Sequence, residues 1–269
     1  MEKPVTLDAP LTSLPGIGPQ RAALFARLNV RTVGELLRLY PRAYEDRTRL
    51  VSIASLEAGT PACFEAAVVT TPRTNRIPKP GSRMLEVTKF TVADDTGRLN
   101  LTFFNAAHSA GALRIGERYC FYGVLTGDYA AYGMTNPLFE PYDGPARVTR
   151  RILPVYPLTA GLTNSMVLRA QAQAVSRCAG LLPETLPPEL LRRYGLCGAA
   201  EACREIHCPT SAAALGRAQR RLVFEEFFLF SAALAIVRSR RTAHSCPAWQ
   251  TELTPFFAAL PFRLTGAQQ

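Results

Sequence analysis

The feature that most constrains the fold is a stretch from Val51 to Pro141 in which the hydrophobic period changes to two. Successive side chains of a β-strand point to opposite faces, so this period predicts strands. Turn-forming sequences such as Asp94-Asp95-Thr96-Gly97 separate the apolar segments. The strand candidates are Ala62 to Val69, Leu85 to Ala93, Leu99 to Phe104, Tyr119 to Leu125 and Tyr129 to Met134.

Helical periodicity replaces this pattern on both sides. Before it, apolar residues recur at helix spacing between Leu11 and Tyr40, with a second run opened by Thr32. After it, helices are predicted over Asn164 to Cys178, Pro187 to Tyr194, Gly198 to Ile206 and Thr210 to about Arg240. The last of these is so apolar on all sides that we expect it to be sandwiched between neighbours.

These patterns predict an α+β chain. Five short strands suit a small closed Greek-key barrel, of which the oligonucleotide-binding (OB) fold is the commonest, and a β-sandwich fragment would need more strands. We expect an N-terminal helical module over residues 1–50, the barrel domain over 51–150 and a helical linker over 151–245. Residues 246–269 open a further domain.

The charge balance favours an anionic partner. The 31 basic residues exceed the 21 acidic ones and give a net charge of +10, which is typical of nucleic-acid-binding proteins, although ordinary basic proteins share it. Nearly all of the positive charge is arginine, which suits bidentate phosphate contacts but is also what a GC-rich genome would encode.

A long basic connector follows the first predicted strand. Residues 70–83 carry Arg73, Arg76, Lys79 and Arg83 and no acidic residue. Barrels of this kind commonly hold a nucleic-acid strand with this connection, and mobile cations near phosphates give salt-sensitive affinity. The alternative interpretation is a solvated loop that happens to be basic.

Two aromatic residues end the third predicted strand. Alternation sends one ring of Phe103 and Phe104 inward and the other outward. An aromatic ring that points outward at a strand end is costly to leave in contact with water, so we expect another group to cover it. Either a nucleobase stacked on the ring or a neighbouring helix packed against it could do so.

A glycine pair precedes the first helix. Gly16 and Gly18 in Leu14-Pro15-Gly16-Ile17-Gly18 are typical of helix-hairpin-helix modules, which expose backbone N–H groups to phosphate. Glycines also serve simply as turn residues.

The sequence offers little for catalysis, metals or membranes. Cys197, Cys203, Cys208 and His207 fit no common zinc spacing, so we expect free thiols and no metal. His207, before the long helix, is predicted to be a helix-entry residue that hydrogen-bonds locally, and with His108 and His244 it forms no recognisable catalytic set. No signal peptide opens the chain and no segment suits a bilayer, so we expect a cytoplasmic protein without membrane contact.

Several motifs in order resemble the N-terminal part of the RecG family of ATP-dependent DNA helicases. They are Leu14-Pro15-Gly16-Ile17-Gly18, Tyr40-Pro41-Arg42-Ala43-Tyr44-Glu45-Asp46-Arg47, Asp95-Thr96-Gly97, Phe103-Phe104-Asn105, Leu153-Pro154-Val155-Tyr156-Pro157-Leu158-Thr159-Ala160-Gly161-Leu162, Ile206-His207-Cys208-Pro209, Arg221-Leu222-Val223-Phe224-Glu225-Glu226 and Leu260-Pro261-Phe262.

The resemblance implies a wedge. In that family an OB barrel sits at the branch point of a replication fork or Holliday junction while a motor draws the arms across it, which drives branch migration and fork regression in recombination and repair. Phe104 would be the ring that stacks at the branch. Two positions depart from the family pattern: His108 stands where relatives place a second aromatic residue, and Asn136 stands where they have His before Pro137.

The resemblance also implies that residues 246–269 begin the motor. Phe262 and Gln268 resemble an adenine-recognition segment, but no G-x-x-x-x-G-K-[ST] loop is present. ATP and Mg²⁺ are therefore expected only with the missing motor, and this chain is expected to lack ATPase activity and to carry no cofactor. The expected partners are branched, forked or single-stranded DNA, and the full-length protein is expected to be a monomer.

Two other functions remain open. The chain could be a stand-alone single-stranded-DNA-binding protein of OB fold with no enzymatic activity. It could also be a protein-interaction scaffold in which Phe104 and the basic connector meet a protein partner.

Overall fold

A computed structural model of the chain describes residues 5–78, 84–127, 132–240 and 252–266. It begins with a small helical segment and one strand, formed by a 3-10 helix (Leu11–Ser13), α1 (Pro19–Ala26), α2 (Val33–Leu37) and β1 (Ala43–Asp46). Thr32 caps α2, because its hydroxyl accepts the Glu35 N–H while the Glu35 carboxylate accepts the Thr32 N–H. The predicted helix start at Thr32 is confirmed.

A closed barrel follows. Its elements are β2 (Leu50–Val51), β3 (Pro61–Val68), β4 (Arg73–Ile77), β5 (Leu85–Ala93), β6 (Arg98–Phe104), α3 (Ala107–Ala110), β7 (Arg118–Thr126), β8 (Gly133–Thr135) and β9 (Leu138–Pro141). Hydrogen-bonded pairing runs β3-β5-β6-β8-β7, and β7 pairs back onto β3, so five strands close the ring. The predicted α+β class with an OB barrel is confirmed.

Aromatic side chains fill the barrel. Phe64 and Phe121 stack at 5.4 Å between ring centroids, and Phe90 and Phe103 stack at 5.7 Å. All four rings are buried, and each contributes roughly 1.5–3 kcal/mol through loss of contact with water. The inward-pointing residues of the alternating strands therefore form the core of the barrel.

The strands differ from the sequence prediction in two places. The basic connector is not a free loop, because Arg73 to Ile77 form β4, which pairs antiparallel with β5. Every residue of β4 is exposed, so the strand has no apolar alternation by which periodicity could detect it. The fifth predicted strand is described only from Tyr132 onward, as the short β8, and β9 follows Asn136 and Pro137 as an additional strand.

A helical region completes the fold. Its elements are β10 (Ile152–Val155), α4 (Asn164–Cys178), α5 (Pro188–Tyr194), α6 (Ala199–His207), α7 (Ala212–Ser239) and α8 (Thr254–Ala258). The bounds of α4 match the prediction, and its first turn is capped by the Thr163 hydroxyl, which accepts the Met166 N–H. β10 pairs antiparallel with β1 and so joins the two ends of the barrel segment.

The first helices and α4 share one core. Phe25, Val33 and Leu36 are buried in the same cluster as Val167 and Ala174. The side chain of the buried Gln171 donates a hydrogen bond to the Leu36 carbonyl oxygen at 2.7 Å, which satisfies a helix-end acceptor. Residues on both sides of the barrel segment therefore form a single helical core.

His207 lies at the end of α6 and its bonds are long-range, so the prediction of local hydrogen bonding is wrong. Its Nε2–H donates to the Leu37 carbonyl oxygen at 2.9 Å, which leaves Nδ1 to accept from the Tyr156 hydroxyl at 2.8 Å. Both ring nitrogens are engaged, and burial lowers the pKa of the imidazole to about 4. Neither ring nitrogen is therefore left to bind a metal ion together with the neighbouring cysteines.

The chain divides into two compact units, residues 1–225 and 226–269. In the first unit the fully buried Arg221 bonds the carboxylates of Glu184 and Glu225 at 2.5 Å and 2.6 Å. The expected packing of α7 between neighbours holds for its first half, where Leu215 is buried, and not for its second half, where Phe227 and Phe230 are 68% and 63% exposed. No helix of the described ranges meets the length and hydropathy of a membrane span.

Candidate nucleic-acid interface

Strand register places a set of side chains on one outer surface of the barrel. Residues directly opposite each other on paired strands point to the same face. Phe90, Val92, Leu99, Leu101 and Phe103 point into the core, so their neighbours in sequence point outward. The outer face defined in this way consists of Arg73, Asn75 and Ile77 on β4, Leu85, Val87, Lys89 and Thr91 on β5, Asn100, Thr102 and Phe104 on β6, and Gly133 and Thr135 on β8.

The outer face is apolar at one end and basic at the other. Phe104 lies beside Val87 at the apolar end, and Ile77 lies opposite Leu85. Two residues along β5 and β4, Lys89 and Arg73 stand directly opposite each other. Because strands rise by about 3.3 Å per residue, the ring and the cations are separated by roughly 7 Å along the sheet.

A groove of about 700 Å³ covers the basic end. Its walls come from β4 and the residues before it, from β5, β6 and β8, and from the segment after β7. The described lining includes Arg73 and Lys89 and contains no acidic residue. Two cations that face each other without a carboxylate repel, so an anion placed between them would be stabilised.

Hydroxyl and amide groups line the rest of the groove. The Thr91 hydroxyl donates to Asn100 Oδ1 at 2.9 Å, and the Thr70 hydroxyl accepts the Thr91 N–H at 2.7 Å. Gly133 lets β8 approach β6 closely, since a Cβ there would lie 2.8 Å from the Asn100 carbonyl oxygen. Such short polar side chains suit contacts to phosphate and sugar oxygens.

Phe104 is the exposed ring of the aromatic pair. It ends β6 with 38% of its surface accessible. Phe103 was also a candidate for DNA contact, but it is only 3% exposed and packs against Phe90 and edge-on against Phe139. We therefore correct its assignment: strand alternation puts Phe103 in the core.

The basic connector contributes unequally to this face. Arg73 and Lys89 form no ion pair with any described residue, and Lys89 was not among the predicted contacts. Arg76 points to the opposite side of β4 and pairs with Glu86 at 3.1 Å. The predicted contacts Lys79 and Arg83 lie outside the described residues. Lys89 could have been found from the sequence, because alternation places it opposite in direction to the apolar Phe90.

The other predicted DNA contacts lie apart from the outer face or beside it. His108 is exposed on α3, the short helix that follows β6. Gly16 and Gly18 lie together in a shallow surface hollow before α1, where Gly16 has a φ of +78° and its carbonyl accepts from Arg21 at 2.6 Å. Pro19 at the first helical position has no N–H to donate to a phosphate.

The predicted adenine-recognition residues belong to the second unit. Phe262 is 59% exposed, and Gln268 lies outside the described residues. Their role stays a prediction.

Comparisons with known proteins give consistent matches. The family model described as the RecG wedge domain matches residues 11–177. The ATP-dependent DNA helicase RecG of Escherichia coli strain K12 is 33% identical, with 97% of this chain and 39% of that protein covered. The protein of the same name from Synechocystis sp. strain PCC 6803 is 31% identical, with 98% of this chain and 34% of that protein covered.

A solved structure of RecG bound to a three-way DNA junction matches with a TM-score of 0.81 and 26% identity, covering 99% of this chain and 36% of that chain. The chain thus spans between 34% and 39% of the length of these relatives.

Proposed function

Since this chain belongs to the RecG family through the wedge domain that residues 11–177 form, we propose that it is the part of a DNA helicase that binds branched DNA. The observation that carries the proposal is the outer face of the barrel, on which the exposed Phe104 adjoins a groove with two opposed cations and no described acid. A replication fork or a Holliday junction is the proposed substrate. The solved relative with a TM-score of 0.81 is bound to a three-way DNA junction.

The apolar end and the basic end of the outer face both suit a DNA branch point. A base or base pair that loses its stacking neighbour at the branch regains one on an aromatic ring, which is worth roughly 1–3 kcal/mol per base. The backbone of the adjoining strand then reaches Arg73 and Lys89, whose phosphate contacts position the DNA without reading its sequence. The ring and the cations act on neighbouring parts of one strand, because they share one face of the sheet.

ATP-driven branch migration is proposed only for a helicase that also carries the motor. The residues of this chain do not fit ATP by themselves: Phe262 offers an exposed ring, but the sequence has no loop to cradle phosphates. The proposed contribution of this chain is to hold the branch and to separate the arms drawn across it.

The decisive experiment compares DNA shapes. Fluorescence anisotropy should show tighter binding of a four-way junction and a fork than of linear duplex of equal length, with affinity falling steeply as salt rises. Phe104→Ala should weaken junction binding by about 5- to 150-fold, the equivalent of one lost stacking contact. Phe256→Ala is the matched control, because Phe256 is also an exposed ring but lies on α8.

Other outcomes identify the competing functions. Equal affinity for junction, fork and duplex would exclude the wedge. Preference for single strands over junctions would favour a single-strand-binding protein, which the groove alone could support. Unchanged DNA binding by Phe104→Ala would favour a protein partner at this surface.

A further inference from the structure

The backbone of Phe104 is held by a residue outside its own strand. The Phe104 N–H donates to the side-chain oxygen Oδ1 of Asn136 at 2.8 Å. In return, the Asn136 N–H donates to the carbonyl oxygen of Thr102 at 2.8 Å. Asn136 follows directly after β8, so its side chain takes over where the β6–β8 backbone pairing ends.

This position requires an unusual backbone conformation. Asn136 has a φ of +48°, in the left-handed region, where asparagine is several times more frequent than most other residues. Glycine would keep the conformation but lose the acceptor, and alanine would strain the backbone as well. Asparagine supplies both properties that the site uses.

A second asparagine holds the other side of Phe104. Asn105 also lies in the left-handed region, with a φ of +51°. Its N–H donates to the Glu86 carbonyl oxygen at 2.8 Å, and its side-chain oxygen accepts the Glu86 N–H at 3.2 Å. The exposed ring therefore projects from a peptide tied to β5 on one side and to the end of β8 on the other.

Such anchoring has a consequence for stacking. A residue at a strand end frays unless its peptide groups are paired, and ordering it during binding costs free energy. A ring whose backbone is already fixed does not carry that cost. From this geometry we infer that Asn136 is a positioning residue, which acts on branched DNA through Phe104 without touching the DNA itself; this inference rests on the proposed function.

The test is a double-mutant cycle read by junction binding. The variants are Asn136→Gly, Phe104→Ala and the two combined, with melting temperatures measured in parallel. Asn136→Gly should weaken four-way junction binding by about two- to tenfold, the equivalent of one hydrogen bond, and should add nothing in the Phe104→Ala background. Asn29→Gly is the matched control, because Asn29 has a φ of +58° but follows α1, outside the barrel.

The outcomes separate the inference from the function it rests on. If Asn136→Gly binds like the unchanged protein while Phe104→Ala is weakened, the inference fails and the proposed function stands. If Asn136→Gly weakens binding equally with and without Phe104, its role is merely structural and the inference also fails. If Phe104→Ala binds junctions normally, the proposed function fails, and the inference falls with it.

A second measurement does not depend on the folding of a variant. Amide hydrogen exchange in the unchanged protein should show slow exchange at Phe104, comparable to residues inside β6. Rapid exchange there would mean that the bond to Asn136 is not maintained in solution and would overturn the inference.

Discussion

The adjacent phenylalanines at the end of β6 have different roles, because successive side chains of a strand point to opposite faces. Phe103 closes the barrel core, and Phe104 is left on the outer face. The sequence predicts that one ring points inward and one outward, but it does not say which. The packing of the barrel decides it, since Phe103 stacks on the buried Phe90 whereas Phe104 lies beside Val87 on the outer face.

The division gives opposite predictions for the two rings. Phe103→Ala should lower the free energy of unfolding by about 3–5 kcal/mol, because it leaves a cavity in a packed aromatic core. Phe104→Ala should lower it by about 1 kcal/mol or less, because Phe104 is partly exposed and leaves no cavity in the core. Urea denaturation followed by circular dichroism measures both, and comparable losses would contradict the assignment of the outward ring.

At the scale of elements, the hairpin of β4 and β5 sets the basic end of the outer face. Arg73 and Arg76 differ in direction although they belong to one strand of five residues. Arg73 faces Lys89 across the groove, whereas Arg76 pairs with Glu86 on the other side. A free loop would have made these cations equivalent, and a paired strand makes them distinct.

The salt dependence of DNA binding should reveal this difference. Arg73→Ala and Lys89→Ala should each reduce the slope of log affinity against log salt by about 1, since each removes one phosphate contact. Arg76→Ala makes the same charge change on the same strand but should reduce the slope less. Titrations at several salt concentrations supply the slopes, and a slope that drops equally for all variants would argue for a diffuse field of charge.

The second half of α7 carries an apolar stripe that the sequence predicts to be buried against a neighbour. Phe227, Phe230, Leu234 and Val237 repeat at spacings of three and four residues, and all are exposed. Exposed apolar stripes of this kind promote association. Sedimentation velocity should therefore show self-association that grows with concentration.

Replacing Phe227 and Phe230 by Ser should reduce that association. Leu229→Ser is the control, because Leu229 is exposed on the same helix but outside the repeat. Unchanged association in the double variant would rule out this stripe as its cause.

Prediction from sequence succeeds where local pattern determines structure. The bounds of α4 follow from helical period and the Thr163 cap, and β5 follows from a segment rich in Val, Thr and Phe that ends at a turn sequence. It fails for β4, whose residues are all exposed and whose existence depends on backbone pairing with β5. For the same reason Asn136 could be predicted as a turn residue but not as an anchor of Phe104, because that bond joins residues 32 positions apart.

At the scale of the whole molecule, the buried ring of His207 ties three segments together. It bonds Leu37 at the end of α2 and Tyr156 just after β10, and it belongs to α6. The Tyr40 and Tyr156 rings lie nearly parallel to it at centroid distances of 6.2 Å and 6.0 Å. Protonation of Nδ1 would remove the acceptor of the Tyr156 hydroxyl and would place a charge among these buried groups.

The free energy of unfolding should therefore depend on pH in the range in which His207 is protonated in the unfolded chain and neutral in the folded chain. Its pKa is about 4 in the folded chain, mainly because of burial, against 6.5 when exposed. The unfolded state binds the extra proton between these values, so the free energy of unfolding should fall as pH falls from 6.5 toward 4, by at most about 3 kcal/mol.

Chemical denaturation between pH 7 and pH 5 measures this effect. His207→Gln should be less stable at pH 7 but should lose less stability on acidification. An equal loss in both proteins would assign the acid sensitivity to other groups.

The helical core has a consequence for the order of events during synthesis. The partners of Phe25, Val33 and Leu36 include Val167 and Ala174, which leave the ribosome only after the entire barrel segment has been made. The first helices therefore lack these partners until the barrel segment has been synthesised. Once closed, the barrel brings β1 beside β10 and shortens the effective loop between the two halves of the helical core, which lowers the entropy cost of joining them. The domain that we propose to part the strands of DNA is also the one that draws its own chain together.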